Sequence, residues 1–353
     1  MRFARAIALV VALAHIAAAP LRAEPPSPIT ASAPAAAVVS VSMTVSDLDR
    51  AIEFYTSALD CTLVSKQERV GDASDHLLGV FGARVRIATL ALGAERLELM
   101  QFLTPGGRAI PADSRSNDLW FQHAAIAVAD IDAAYARLRE WNVRHASSGP
   151  QTLPDWNPGA AGISAFYFKD PDGHTLEIIH FPEGKGDPRW QSPPSGRLFL
   201  GIDHTAIVVS DTERSLAFYR DALGLRVVGT GENYGSEQER LNGVFCARLR
   251  ITTLRAPQGP GIELLEYLAP SDGREYPRDA RTCDLLHWHT TITVPDPDRA
   301  AVALRAVGAR WISPGAVPDP GASGNAPACL LRDPDGHALL LKTHNNTDKD
   351  TSP

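Results

Sequence analysis

The segment VSDLDRAIEFYTSAL at 45–59 returns as VSDTERSLAFYRDAL at 209–223, and this repeat constrains the fold more than any other feature. Three more matches keep the register. GVFGARVRIATL (79–90) pairs with GVFCARLRITTL (243–254), LELMQF (97–102) with IELLEY (262–267), and KDPDGHTLEI (169–178) with RDPDGHALLL (332–341). A chain duplicated over that length builds one architecture twice. A fainter repeat lies inside each copy. Ser40, His123, His204 and His289 each precede by seven residues an Asp (Asp47, Asp130, Asp211, Asp296) placed to cap a helix. The chain therefore reads as four modules of about 80 residues each.

Each module opens on a strand of alternating apolar character: VVSVSMTV, HAAIAVA, HTAIVVS and HTTITV. A helix follows, with Leu48, Ile52, Phe54, Tyr55 and Leu59 at helical spacing in the first module and Leu216, Phe218, Tyr219 and Leu223 in the third. Short strands come next, and DPDG at 170–173 and 333–336 is turn chemistry between the last two. The expected fold is α+β, with four βαβββ modules. One such sheet cannot bury both faces, so modules should pair into two cupped mixed sheets. The repeats divide the chain into domains at 39–183 and 198–343, joined by the Pro- and Gly-rich linker 184–197 and followed by a tail at 344–353.

Residues 1–23 read as a secretory signal, with Arg2 and Arg5 ahead of the apolar run Ala6 to Ala19 and cleavage expected after Ala23. That predicts a secreted or periplasmic protein, with no membrane span once the signal is removed. Residues 24–38 read as a flexible lead-in. Losing Arg2, Arg5 and Arg22 takes the formal charge from −7 to −10, a balance that disfavours nucleic acid as a partner. Cys61, Cys246, Cys283 and Cys329 show no metal-knuckle or redox spacing and read as packed thiols or one bridge. Four modules can satisfy one another within one chain, so the expected state is a monomer or homodimer.

The motifs HTAIVVSDTERSLAFYRDALGL (204–225), HAAIAVADIDAAYARL (123–138), FKDPDGHTLEI (168–178) and IELLEY (262–267) resemble those of the vicinal-oxygen-chelate superfamily. That superfamily includes glyoxalase I, extradiol dioxygenases and bleomycin resistance proteins. The resemblance spans roughly residues 38–343. It implies metal ligands on the first and last strands of each module: Ser40 and Glu98, His123 and Glu177, His204 and Glu263, His289 and Leu340. If each half folds on itself, two three-ligand sites result. If modules pair across halves, His123, Glu177, His204 and Glu263 form one complete site, and Ser40, Glu98, His289 and Leu340 form a degenerate one. Parsimony favours the cross-half arrangement.

Two His and two carboxylates suit one divalent metal with open positions for a chelating substrate. Nickel, cobalt and zinc lead the candidates, followed by iron and manganese. The resulting expectation is a glyoxalase-type lyase or isomerase. It would act through an enediolate on a small molecule with vicinal oxygens, with Glu177 as base and Glu263 as second choice. An extradiol-type ring-cleaving dioxygenase and a non-catalytic binding or resistance protein are the alternatives. Substrate-binding residues are not readable from sequence. Trp120, Phe121, Trp156 and Trp288 are expected mainly in the core, His174 and His337 as structural residues, His287 at the surface, and Arg84 and Arg248 on solvated strand faces.

Overall fold

The computed structural model describes residues 34–322 and 326–343. The expected signal (1–23), most of the lead-in and the tail (344–353) lie outside them. The end of the lead-in is a correction. Ala35 and Ala36 donate backbone hydrogen bonds to Leu223 and Thr293, and the first strand, Ala37–Thr44, starts inside that segment.

The first helix of each module begins where the sequence places it. Asp47, Asp130, Asp211 and Asp296 each accept a hydrogen bond from the backbone N–H three residues on. This satisfies one of the donors a helix start leaves unpaired. In both DPDG turns the first Asp does similar work. Asp170 Oδ1 accepts from the N–H groups of Asp172, Gly173 and His174, and Asp333 Oδ1 from those of Asp335, Gly336 and His337. Gly173 and Gly336 hold φ of 102° and 114°, a region that an L side chain resists.

The strands form two nine-stranded mixed sheets, and each sheet takes one module from each half of the chain. In one, Gln122–Val128 of the second module runs antiparallel to Phe199–Val209 of the third. In the other, Ala37–Thr44 of the first module runs antiparallel to Trp288–Val294 of the fourth. The sequence repeats are therefore not the sheet-forming units. The long connections cross between modules, and two arginines clamp them. Arg108 reaches Asp279 and Asp284, and Arg274 reaches Asp113 and Asp118.

Helix residues bury against the convex faces. One core joins the first two modules through Leu48, Tyr55, Leu138, Phe166 and Phe168, and the other joins the last two through Phe218, Tyr219, Leu304 and Leu341. Tyr55 and Tyr219 donate to Asp170 and Asp333, so each DPDG turn is pinned by a helix of another module. His174 and His337, both buried, extend the same turns: each is within hydrogen-bond distance of a distant carbonyl, Leu285 and Val208.

The 184–197 segment is more than a spacer, because Trp190 is buried against Ala127 and Leu200. Cys61, Cys283 and Cys329 are buried free thiols, and Cys246 is exposed. Among the described residues, no helix is long and apolar enough to cross a membrane.

Candidate metal centre

The concave faces of the two sheets have diverged. One encloses a cavity of about 490 Å³. The other is filled by an apolar cluster that includes Leu78, Ile87, Met100, Phe102 and Leu330, with Leu340 against it.

Register places the candidate ligands. In the open cup His123 lies opposite Ala206, which also neighbours Glu263. Ala125 lies opposite His204 and neighbours Glu177. The four side chains thus occupy adjoining positions on one face of four neighbouring strands. In the filled cup the same pattern relates Ser42 to His289 and Glu98, and Thr291 to Ser40 and Leu340. The two sets are structural equivalents, and their chemistry differs.

In the open cup, ligand atoms of His123, Glu177 and His204 all lie within 4.8 Å of one another. His123 Nε2 is 3.1 Å from Glu177 Oε2, and His204 Nε2 is 3.6 Å from Glu177 Oε2 and 3.4 Å from Glu263 Oε2. Yet both ring nitrogens of buried His123 lack a hydrogen-bond partner, because the short approach to Glu177 is not aligned as a bond. An orphaned buried imidazole beside a carboxylate is costly, and a divalent cation held by His123, Glu177 and His204 would satisfy it. The donor set fits such an ion.

Glu263 is oriented by Thr253, whose hydroxyl donates to Glu263 Oε1 at 2.8 Å. His204 is oriented by Asp203, with Nδ1 to Oδ2 at 2.9 Å. Asp203 in turn accepts from Trp190 Nε1 at 2.7 Å and Arg255 at 3.0 Å. Burial alone would lower the His204 pKa, but Glu263, Asp203 and Glu177 outweigh it and raise the imidazole to about 9. For Asp203 burial works upward, and hydrogen bonds from His204 and charge from Arg255 hold it well below the usual carboxylate range. Tyr167 lines the cavity with its ring centroid 4.8 Å from that of His123. Burial first, then the charge of Glu177, keeps its hydroxyl protonated.

In the filled cup Ser42 donates to Glu98 at 2.8 Å, and His287 Nε2 lies 3.2 Å from His289 Nδ1. Among the described residues no second group of three ligands converges. The expectation that His287 lies at the surface is corrected: it is 1% exposed. It takes the place that Phe121 holds in the open cup, on the same face as the following His. Trp120, Phe121 and Trp288 are buried, whereas Trp156 is exposed and stacks on Tyr234. Arg84 and Arg248 are exposed and pair with Glu68 and Glu232.

Asp203 escaped the sequence reading because strand alternation sets neighbours on opposite faces. A register shift between Ile202 and His204 is the feature that brings it round. Tyr167 carried no sequence signal beyond its strand.

The sequence profile described as "Glyoxalase/Bleomycin resistance protein/Dioxygenase superfamily" matches residues 37–178 and again 201–341. A 2-epi-5-epi-valiolone epimerase of an Actinomyces species is 39% identical over 155 residues, covering 42% of this chain and 82% of the relative. A lactoylglutathione lyase of Arabidopsis thaliana is 29% identical over 184 residues, covering 52% of this chain and 53% of the relative. The crystal structure of glyoxalase I from Zea mays superposes with a TM-score of 0.59 at 20% identity, covering 88% of this chain and 93% of that one, a likeness of fold. With the profile matched across both copies, the chain belongs to the glyoxalase/bleomycin resistance protein/dioxygenase superfamily.

Proposed function

We propose that the protein is a metal-dependent isomerase or lyase that moves a proton on the carbon beside a carbonyl, in a small substrate with vicinal oxygens. The observation that carries this reading is the convergence of His123, Glu177 and His204 beside an open cavity, with Glu263 3.4 Å from His204, while their equivalents in the other cup hold no such set. The names of the Actinomyces and Arabidopsis relatives, an epimerase and a lyase, support the same class.

A divalent ion held by these four residues would supply Lewis acidity to the chelated oxygens and stabilise an enediolate. The chain's own groups do the rest. Glu177, 4% exposed and lining the cavity, takes the proton. Glu263, held by Thr253 and 3.4 Å from His204 Nε2, is the second candidate base. Return of the proton from Glu177 to the neighbouring carbon of the enediolate isomerises the substrate and regenerates the carboxylate. Asp203 fixes the His204 tautomer with Nε2 turned to the carboxylates. Export through residues 1–23 belongs to the same proposal and predicts a mature chain that starts at Glu24.

The test is α-proton exchange with D2O, followed by NMR across a panel of hydroxyketones, with the metal-loaded protein. Exchange should occur, and Glu177→Gln should slow it by roughly 10²- to 10⁴-fold. Oxygen uptake with a catechol and no exchange would replace this reading with ring cleavage. Tight binding that survives a chelator, without turnover, would replace it with sequestration.

A further inference from the structure

The open cup also carries a chain of buried polar groups that the mechanism does not use. Gln238 Nε2 donates to Asn242 Oδ1, and Asn242 Nδ2 donates to the Tyr267 hydroxyl. Gln238, Asn242 and Tyr267 are 2%, 2% and 7% exposed. Gln238 lines the cavity, and its Oε1 has no hydrogen-bond partner. The chain thus ends on the Tyr267 hydroxyl and is orphaned at Gln238 Oε1, beside the cavity. A buried acceptor left unpaired is destabilising, and a ligand donor would relieve it.

The filled cup supplies the control. At the repeat-equivalent positions it carries Ser74, Leu78 and Phe102, and Leu78 and Phe102 belong to its apolar fill. Ser74, which answers to Gln238, is also buried with an unpartnered hydroxyl, so the supporting pair Asn242 and Tyr267, apolar in the packed cup, is what sets the open cup apart.

Charge narrows what would satisfy Gln238. The cavity is lined by the carboxylates of Glu177, Glu263, Asp187 and Asp203. Arg255 is the one Lys or Arg among the lining residues described, and it is already bonded to Asp203. A divalent ion offsets its own ligands and leaves nothing for a second anion. The remaining polar lining is uncharged, made of the hydroxyls of Tyr167, Thr230 and Thr253 and of amides, with Asn157 Nδ2 donating to Asn233 Oδ1 at 2.5 Å. Resting on the proton-transfer reading of this site, we infer that its substrate is an uncharged polyhydroxylated ketone, and that Gln238 Oε1 accepts a hydrogen bond from a hydroxyl remote from the chelating pair. Asn242 and Tyr267 are positioning residues that hold the Gln238 amide in place.

The experiment compares two ring ketones on the metal-loaded full chain: a pentahydroxycyclohexanone, and 2-hydroxycyclohexanone, which keeps the chelating pair and lacks the other hydroxyls. Exchange kinetics and calorimetric binding are measured for wild type, Gln238→Leu, Asn242→Leu and Tyr267→Phe. The last two install residues that the filled cup already carries, which guards against a fold lost at Gln238. The expected result is a wild-type preference in kcat/KM for the pentahydroxy ketone that shrinks by about tenfold in Gln238→Leu, with bound metal unchanged. The positioning variants should show a smaller loss in the same direction, in KM rather than kcat. An unchanged preference overturns the inference while leaving proton transfer standing. Binding of the pentahydroxy ketone that Gln238→Leu weakens, with no exchange on either ring, supports the inference and removes the proton-transfer reading. Tighter binding of lactoylglutathione, an anionic probe, than of the pentahydroxy ketone overturns the uncharged class, and so does failure of the pentahydroxy ketone to bind at all.

Discussion

Asp203 and His204 are adjacent in sequence, and their side chains nevertheless meet, with His204 Nδ1 and Asp203 Oδ2 2.9 Å apart. A bulge in the strand at Ile202/His204 sets them together. The other sheet carries a matching shift between Val38 and Ser40, but there Val39 stands where Asp203 would. The backbone device survives in both cups, and the carboxylate that gives it chemical use stands in one. Outer partners of this kind orient a metal ligand and raise its basicity. Asp203→Asn should lower divalent metal affinity roughly 10- to 100-fold, with the circular dichroism spectrum unchanged. Metal titration of the chelated protein checks it, and wild-type affinity in the variant would remove Asp203 from the site.

Elemental mass spectrometry should find one divalent ion per chain. His123→Ala and His204→Ala should each lose it, because each removes a nitrogen from the single converging set. His289→Ala should retain it, since Leu340 and Ser40 leave His289 without a ligating neighbour set. Loss of metal in His289→Ala would place an ion in the filled cup.

Acid should destabilise the protein through that filled cup. Burial, with Arg69 nearby, pushes the His289 imidazole down to about 3, and burial pushes His287 well below its ordinary range. The unfolded chain takes up protons near pH 6.5, so between about 3 and 6.5 it binds more protons than the folded one. Stability therefore rises with pH across that window and is lost as pH falls through it, by about 1.4 kcal/mol per pH unit for each such group. His289→Leu should show a smaller drop in urea midpoint between pH 7 and pH 4.5 than wild type. An equal drop would place the acid sensitivity elsewhere.

Trp156 and Tyr234 stack with ring centroids 4.1 Å apart, joining the second and third modules at the rim of the cavity. Both rings are about half exposed. Such a pair is worth about 0.5–1.5 kcal/mol, too little to decide the fold and enough to bias the position of the loop that carries Asn157. Trp156→Ala should raise KM roughly three- to tenfold with kcat little changed. A shift in kcat alone would mean that the clasp acts on chemistry and not on entry.

Much of this protein was legible in the chain. Hydrophobic alternation, the four capping Asp residues and the DPDG turns are local features, decided by neighbours within a few residues. The repeat carried that reading to all four modules and marked His123, Glu177, His204 and Glu263 as equivalent. Which modules share a sheet is a long-range matter. Both pairings satisfy the same local pattern, and only the antiparallel register of Gln122–Val128 on Phe199–Val209 brings the four candidate ligands onto one face. His287 was misread for the same reason, since a polar residue beside a strand start looks exposed until two sheets close over it. Asp203, Tyr167 and Gln238 stayed hidden because their roles depend on a bulge, a facing strand and an open cavity, none of which is encoded by spacing. The sequence alone determined the modules, because helix caps, turns and periodicity are short-range. Tertiary structure decided which cup is an open cavity and which is a core, because that depends on side chains far apart in sequence filling or sparing the same space.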